Sequence, residues 1–222
     1  MSIRLVAFDF DGTLIHTAPD IICATNEFLQ LHGREPLPDH EVISHIGMGL
    51  TGLIRGVVPE AEHHPEIAAN IEAQFSKVYD AHVLKQATPF DGVREFLDAW
   101  PHQLAIVSNK PERYIEPLLK HLKLDRYPWA AIIGGDTYAE RKPHPLPLQM
   151  AMKAAKVDAS ETLMVGDGPP DVGVALACKT HFMAVSFGYS PLEELKSLGA
   201  QHSIGHFLEL LPAIQNLEAF TR

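Results

Sequence analysis

The sequence is poor in cysteine, in positive charge and in long apolar runs, and each shortage removes a class of protein. Two cysteines in 222 residues, Cys23 and Cys178, are too few and too far apart for a disulfide scaffold, and neither stands at metal-ligand spacing. Both are expected to be buried free thiols, which suits a reducing cytoplasm. Lys and Arg total 18 against 28 Asp and Glu, a formal charge of −10 with histidine neutral, so nonspecific nucleic-acid binding is disfavoured. No stretch approaches the ~20 apolar residues a membrane span needs, and the first residues enter a short apolar run broken by Asp9 with no signal-peptide core. Internal repeats and low-complexity segments are missing too. Histidine is plentiful at 13 residues, but His63, His64 and His102 lack the HExxH or CxxC partners of a zinc site. A cytoplasmic monomer or homodimer that binds neither nucleic acid nor membrane is expected.

What is present is a series of short apolar runs: "IRLVAF" (3–8), "QLAIV" (103–107), "AAII" (130–133), "TLMV" (162–165) and "HFMAV" (181–185). Their continuous rather than alternating apolarity predicts strands covered on both faces. Helix-period stretches between the later runs, such as Ile115, Leu118, Leu119 and Leu122, predict an α/β fold with a Rossmann-like parallel sheet and crossover helices. Residues 16–87 break the rhythm and offer only helix signals. Pro19, then Ile21, Ala24, Phe28 and Leu31, then Gly33 as a stop mark one helix. A long helix is expected over 65–86, with "HIGMGLTGLIRG" as a glycine-rich loop leading into a short helix. The expected organisation is a catalytic core of residues 1–15 and 88–222 carrying an all-helical insert over 16–87.

Open parallel sheets bind ligands beyond the carboxyl ends of their strands. Asp9 and Asp11 follow the first run, Ser108, Asn109 and Lys110 the second, and Asp167 and Asp171 the fourth, while Lys142 stands within "RKPHP". Carboxylates so crowded repel one another unless a cation sits among them, and Mg2+ is the natural hard, oxygen-liganded ion. A carboxylate, a metal, a lysine and a hydroxyl at one crevice suit phosphoryl transfer through an aspartyl-phosphate. Asp9, at the strand's end, is the nucleophile candidate, and Asp11 can serve as general acid to the leaving alcohol and base to the attacking water. Gly12 allows close backbone approach, and amides at Gly12 and Thr13 could hold phosphate oxygens.

"DFDGTL", "SNK", "RKPHP" and "GDGPPD", in this order and spacing, resemble the four motifs of the haloacid dehalogenase superfamily. The helical insert resembles its C1 cap, and "TAPDI", "HIGMGL", "IIGGD" and "KPHPLPL" are most similar to the phosphoglycolate phosphatase branch. The resemblance implies that Asp9 is nucleophile and metal ligand, and that Asp11 is acid/base with its backbone carbonyl on the metal. It implies that Ser108 and Lys142 hold the phosphoryl group with support from Asn109, that Asp167 is the metal's other carboxylate, and that Asp171 ligates it or orients its waters. Gly168 stands where the fourth motif commonly has Ser or Thr, and His16 and Thr17 where the branch often shows Asp and Ser.

The resulting expectation is a Mg2+-dependent phosphomonoesterase acting on a small phosphorylated metabolite, with 2-phosphoglycolate favoured. Arg55, just past the glycine loop, is the expected cation for a substrate carboxylate, and His144 is a candidate for lining the site. Gly47 and Gly49 either shape a turn or close a loop over the substrate. Within the same chemistry, a sugar-phosphate phosphatase, a pyrophosphatase or a phosphomutase would carry the same core residues. A non-catalytic sensor of a phosphorylated metabolite is the alternative of another class.

Overall fold

The first apolar run becomes β1 (Leu5–Phe8), every residue of which is buried. In the computed structural model, which describes residues 2–61 and 64–220, a two-residue strand, β2 (Ile15–His16), follows the turn after Asp11. Four helices come next: α1 (Ala18–Leu31), α2 (Asp39–Ile43), α3 (Gly49–Val57) and α4 (Pro65–Tyr79). Then β3 (Thr88–Pro89) returns the chain by pairing antiparallel with β2. Helices and strands alternate from there: α5 (Val93–Ala99), β4 (Gln103–Val107), α6 (Glu112–His121), β5 (Trp129–Ile133), α7 (Leu146–Ala155), β6 (Thr162–Gly166) and α8 (Pro169–Cys178). The chain ends with β7 (His181–Val185), α9 (Leu192–Ser197), β8 (Ser203–Ile204) and α10 (Leu210–Phe220).

Six strands form one parallel sheet in the order β5-β4-β1-β6-β7-β8. The chain builds outward from β1 through β4 to β5, then crosses back to lay β6, β7 and β8 on the other side. The strand order therefore switches beside β1, and a crevice opens at its carboxyl end. The strand period of two divides the apolar residues between two faces. Leu5, Ala7, Ala105, Val107 and Met164 pack against Leu148 and Ala151 of α7 and Val174 of α8. Val6, Phe8, Leu104, Ile106 and Val165 pack against Phe96 of α5, Leu118 of α6 and Leu210 of α10. That second body continues into Ile21, Phe28, Leu53 and Phe75, so α1, α3 and α4 share apolar packing with the sheet.

Helix α1 carries Pro19 in its first turn and is followed by Gly33 at φ +68, a conformation that costs glycine little. The wholly buried Asp20 accepts N–H bonds from Gln86 and Ala87 at 2.9 to 3.1 Å. This clasp, with the β2–β3 pair, ties the outgoing and returning chains together. It also bears on the helix expected over 65–86, which ends at Tyr79 and gives way to turns. Amides 86 and 87 turn to Asp20 and are not available to continue a helix.

Cys178 is buried as expected, but Cys23 is exposed. The buried stripe of α1 runs through Ile21, Ala24, Thr25 and Phe28, and position 23 falls off it. His64 and His102 are exposed, and His63 lies outside the described residues. Among the described residues no helix is long and apolar enough to cross a membrane.

Candidate active site

The three central strands deliver the acidic and hydroxyl groups together. Asp9, Ser108 and Asp167 each stand just past the carboxyl end of β1, β4 and β6, and all three are buried. Backbone bonds continue the ladder to them, with Asp9 N–H donating to Val165 O and Ser108 N–H to Ile133 O, both at 2.9 Å. Lys142 reaches in from the segment after β5, its Nζ 2.9 Å from Asp9 Oδ1 and 2.6 Å from Asp171 Oδ1. Asp171 occupies the first turn of α8 and accepts from Gly168 N–H at 2.9 Å. Pro169 and Pro170 preset that turn, so an acidic side chain reaching back to the preceding amide satisfies the helix start. Gly168, where the resemblance expects a hydroxyl residue, contributes its N–H.

Gly12 adopts φ +81, and a Cβ there would collide with the Asp167 carboxylate and approach the Tyr189 ring to 2.8 Å, so the turn requires glycine. Its own N–H donates to Ile15 O at 2.9 Å. The expected phosphate contact from this amide is therefore corrected: the turn itself uses it. Thr13 Oγ1 donates to Asp167 Oδ1 at 2.7 Å, and Tyr189 N–H donates to Oδ2 at 2.8 Å. Asp11 accepts from Thr17 Oγ1 at 2.6 Å and from Lys110 Nζ at 3.0 and 3.3 Å. Asn109 Nδ2 donates to Gly47 O of the insert and to Lys142 O, both at 3.1 Å, and so joins the loop before α3 to the core.

A cavity of about 40 Å³ opens above this floor, on a measure by which one water needs ~10–15 Å³. Asp9, Asp11, Ser108, Asn109 and Lys110 line it from the core, and Ile46, Leu50, Leu53, Phe75 and Tyr79 line it from the insert. Gly47 and Gly49 line it as well. Arg55 does not: it is exposed on α3, whose inward residues are Leu53, Ile54 and Val57. The expectation for Arg55 is corrected accordingly, since the helical period that turns Leu53 inward turns residue 55 outward. The side chains lining the cavity that can carry positive charge are His45 and Lys110. His144 is exposed, lies outside this cavity and accepts from Leu146 N–H through Nδ1.

The model of a family described as haloacid dehalogenase-like hydrolase matches residues 6–185. The chain belongs to that family. This haloacid dehalogenase-like hydrolase is 39% identical over 196 residues to a phosphoglycolate phosphatase of Pseudomonas fluorescens Pf-5, covering 84% of this chain and 71% of the relative. It is 38% identical over 205 residues to a phosphoglycolate phosphatase of Thiobacillus denitrificans, covering 88% and 89%. Among solved structures, a predicted phosphoglycolate phosphatase from Haemophilus somnus shares the fold with a TM-score of 0.86 at 24% identity, covering 96% and 98% of the two chains.

One ligand oxygen from each of Asp9, Asp167 and Asp171 lies within 4.8 Å of the others, the one such acidic, histidine or cysteine group among the described residues. Burial, with the charges of Asp9 and Asp171, pushes the Asp167 carboxyl well above the usual carboxylate range. Burial and the charge of Asp9 likewise push Asp171 up to about 6, against the opposing pull of Lys142. Lys142 shows the converse: burial works to lower it, but Asp171 and Asp9 outweigh burial and raise it. Even with this ammonium the cluster is short of positive charge, and its all-oxygen donors fit a hard divalent cation.

The linkage is testable. Carboxyls whose pKa values are raised in the folded state stabilise it below the unfolded value, ~3.9, and lose that contribution as pH rises through about 6 for Asp171 and beyond. Metal binding must displace the bound protons. The rise in melting temperature on adding saturating Mg2+ should therefore be larger at pH 7.5 than at pH 5. An equal rise at both would mean that the cluster holds no extra protons.

The sequence places Lys110 beside Ser108 and Asn109 after the same strand but assigns it no role, and the structure turns it onto Asp11. Tyr79 and Tyr189 escape sequence reading: they come from distant segments with no local mark, and only tertiary packing brings them to the site.

Proposed function

We propose that this chain is a Mg2+-dependent phosphomonoesterase working through an aspartyl-phosphate on Asp9, with 2-phosphoglycolate as its substrate. The observation that carries the reading is the arrangement of two carboxylates beneath one small cavity, Asp9 against Lys142 and Asp11 against Lys110. In this reading residues 16–87 cap a core of residues 1–15 and 88–222. Seating the insert excludes bulk water before reaction, and its movement releases products.

Asp9 attacks phosphorus while Asp11 gives a proton to the departing alcohol oxygen, leaving the phosphoryl group on the Asp9 carboxylate. Asp11 then takes a proton from a water that attacks the same phosphorus, the bond to Asp9 breaks, and phosphate forms. Ser108 and Lys142 hold the phosphoryl oxygens, and Asn109 supports them by fixing the Lys142 backbone. The Gly12 amide is engaged, and Thr13 is wholly buried, does not line the cavity and gives its hydroxyl to Asp167. Asp9, the Asp11 carbonyl, Asp167 and Asp171 would hold Mg2+. When bound, the ion supplies neutralising charge to the phosphoryl oxygens.

Two features support a small carboxylated substrate. The insert lines the cavity mainly with Ile46, Leu50, Leu53 and Phe75, and its hydrogen-bonding side chains there are His45 and Tyr79, too few to pair the several hydroxyls of a sugar. His45 stands on the insert side and replaces Arg55 as the candidate partner for the carboxylate. The relatives named phosphoglycolate phosphatase support the same choice.

The test is phosphate release with Mg2+ and with EDTA from 2-phosphoglycolate, ethyl phosphate, a hexose phosphate and pyrophosphate. Metal-dependent kcat/KM should be at least tenfold higher for 2-phosphoglycolate than for ethyl phosphate, and His45→Ala should remove about tenfold of that preference, the worth of one ~1.4 kcal/mol charge-assisted contact. A hexose phosphate or pyrophosphate ranking first would move the assignment to that class. Isomer conversion without phosphate release would indicate a mutase, and no turnover with retained metabolite binding would indicate a sensor.

A further inference from the structure

We propose that Lys110 is a positioning residue that holds Asp11 aligned for proton transfer, and that Tyr79 makes this alignment depend on the seating of the helical insert. The inference rests on the phosphatase reading above.

A lysine that follows a strand end would ordinarily extend into water. Lys110 instead turns inward and is 5% exposed. An ammonium in such a place is unfavourable unless paired, and the pairing found is specific. Its Nζ donates to both Asp11 oxygens at 3.0 and 3.3 Å and to Tyr79 Oη at 2.8 Å. The same nitrogen lies 5.0 Å from the Tyr79 ring centroid and 6.0 Å from that of Tyr114, distances at which aromatic faces attract a cation.

Lys142 already supplies an ammonium to Asp9, so the second lysine is not needed for that carboxylate. The bonds of Lys110 go to the acid/base and to a phenol. Thr17 Oγ1 approaches Asp11 Oδ1 as well, but Lys110 alone contacts both oxygens among the bonds seen. It can therefore restrain the carboxyl plane whichever oxygen carries the proton.

Tyr79 is the last residue of α4, inside the insert, whereas Lys110 follows β4 in the core. Their bond forms only when the insert is seated. The next insert residue, Asp80, accepts from Tyr114 Oη of α6 at 2.9 Å, a second insert-to-core tie beside the first. When the insert lifts, Lys110 loses Tyr79 and Asp11 loses part of its restraint. Proton transfer is then favoured only in the closed site.

The deciding measurement compares single-turnover alcohol release from ethyl phosphate, whose leaving group needs a proton, with p-nitrophenyl phosphate, whose leaving group does not. General acids contribute ~100- to 10,000-fold. Lys110→Met should slow ethyl phosphate about 100-fold and the aryl ester at least tenfold less, with KM for either changed by under about threefold. Tyr79→Phe, which deletes one oxygen and keeps the ring, should show the same split at about five- to tenfold, a partial loss of the same effect. It decides the question if Lys110→Met does not fold. Equal losses on the two esters would overturn the inference, as would no loss on either. If the wild-type protein released alcohol from neither ester and phosphate from none of the compounds above, the phosphatase reading would fail and the role of Lys110 with it. Wild-type turnover of both esters with no split in the variants sinks the inference alone.

Discussion

Asp9→Asn should reduce phosphate release by at least ~10,000-fold, the scale on which loss of a nucleophile falls, with the fold intact. The amide is isosteric and remains beside Lys142, which keeps its 2.6 Å bond to Asp171. Removing one of the three clustered carboxylates lowers their mutual repulsion, so metal-free melting should not fall. A partner experiment separates nucleophile from acid/base. Asp11→Asn, rapidly quenched with an aryl phosphate, should carry one phosphoryl group on the peptide containing Asp9, because the activated leaving group departs without an acid while the water lacks its base. Residual release above about 1% in Asp9→Asn, two of the four decades expected, would point to a different attacking group. Phosphate found on another residue would do the same.

Legibility in the sequence follows burial. β1, β4, β6 and β7 announce themselves because strands covered on both faces need continuous apolarity, and the ends of β1 and β6 locate the carboxylates. β8, with two residues, and the β2–β3 pair carry no such signal. They arise from backbone pairing, as when Ser186 N–H donates to Ile204 O at 3.0 Å. Periodicity also fails where direction matters. A run of helix-forming residues continues beyond Tyr79, but buried Asp20 claims the amides of Gln86 and Ala87. Arg55 shows the same limit at the site, since proximity to the glycine loop along the chain says nothing about the face of α3 it occupies. The carboxylates were legible because each stands at or shortly after a strand end, and Lys142 because "RKPHP" resembles a family motif. The Lys110–Tyr79 bond was not, because its partners stand 31 positions apart and meet only after the insert folds onto the core.

Lys142→Met should damage stability and activity together, and the two losses separate. The ammonium lies between Asp9 and Asp171 with all three side chains buried. Deleting one partner of a buried ion pair costs about 3–5 kcal/mol, because the other charges are left uncompensated. In a chain of 222 residues, at about 2–4 °C per kcal/mol, the metal-free variant should melt about 6–20 °C lower. Saturating Mg2+ should recover part of the loss by supplying the missing charge. Turnover should fall ~1,000-fold even with Mg2+ present, the scale of removing a preorganised donor from the transferring group. If the destabilisation is electrostatic, Lys142→Met with Asp171→Asn should melt higher than Lys142→Met alone while staying inactive. Such a non-additive recovery is what coupling between neighbouring charges requires. A double variant less stable than either single one would instead assign Lys142 a packing role through its aliphatic stem.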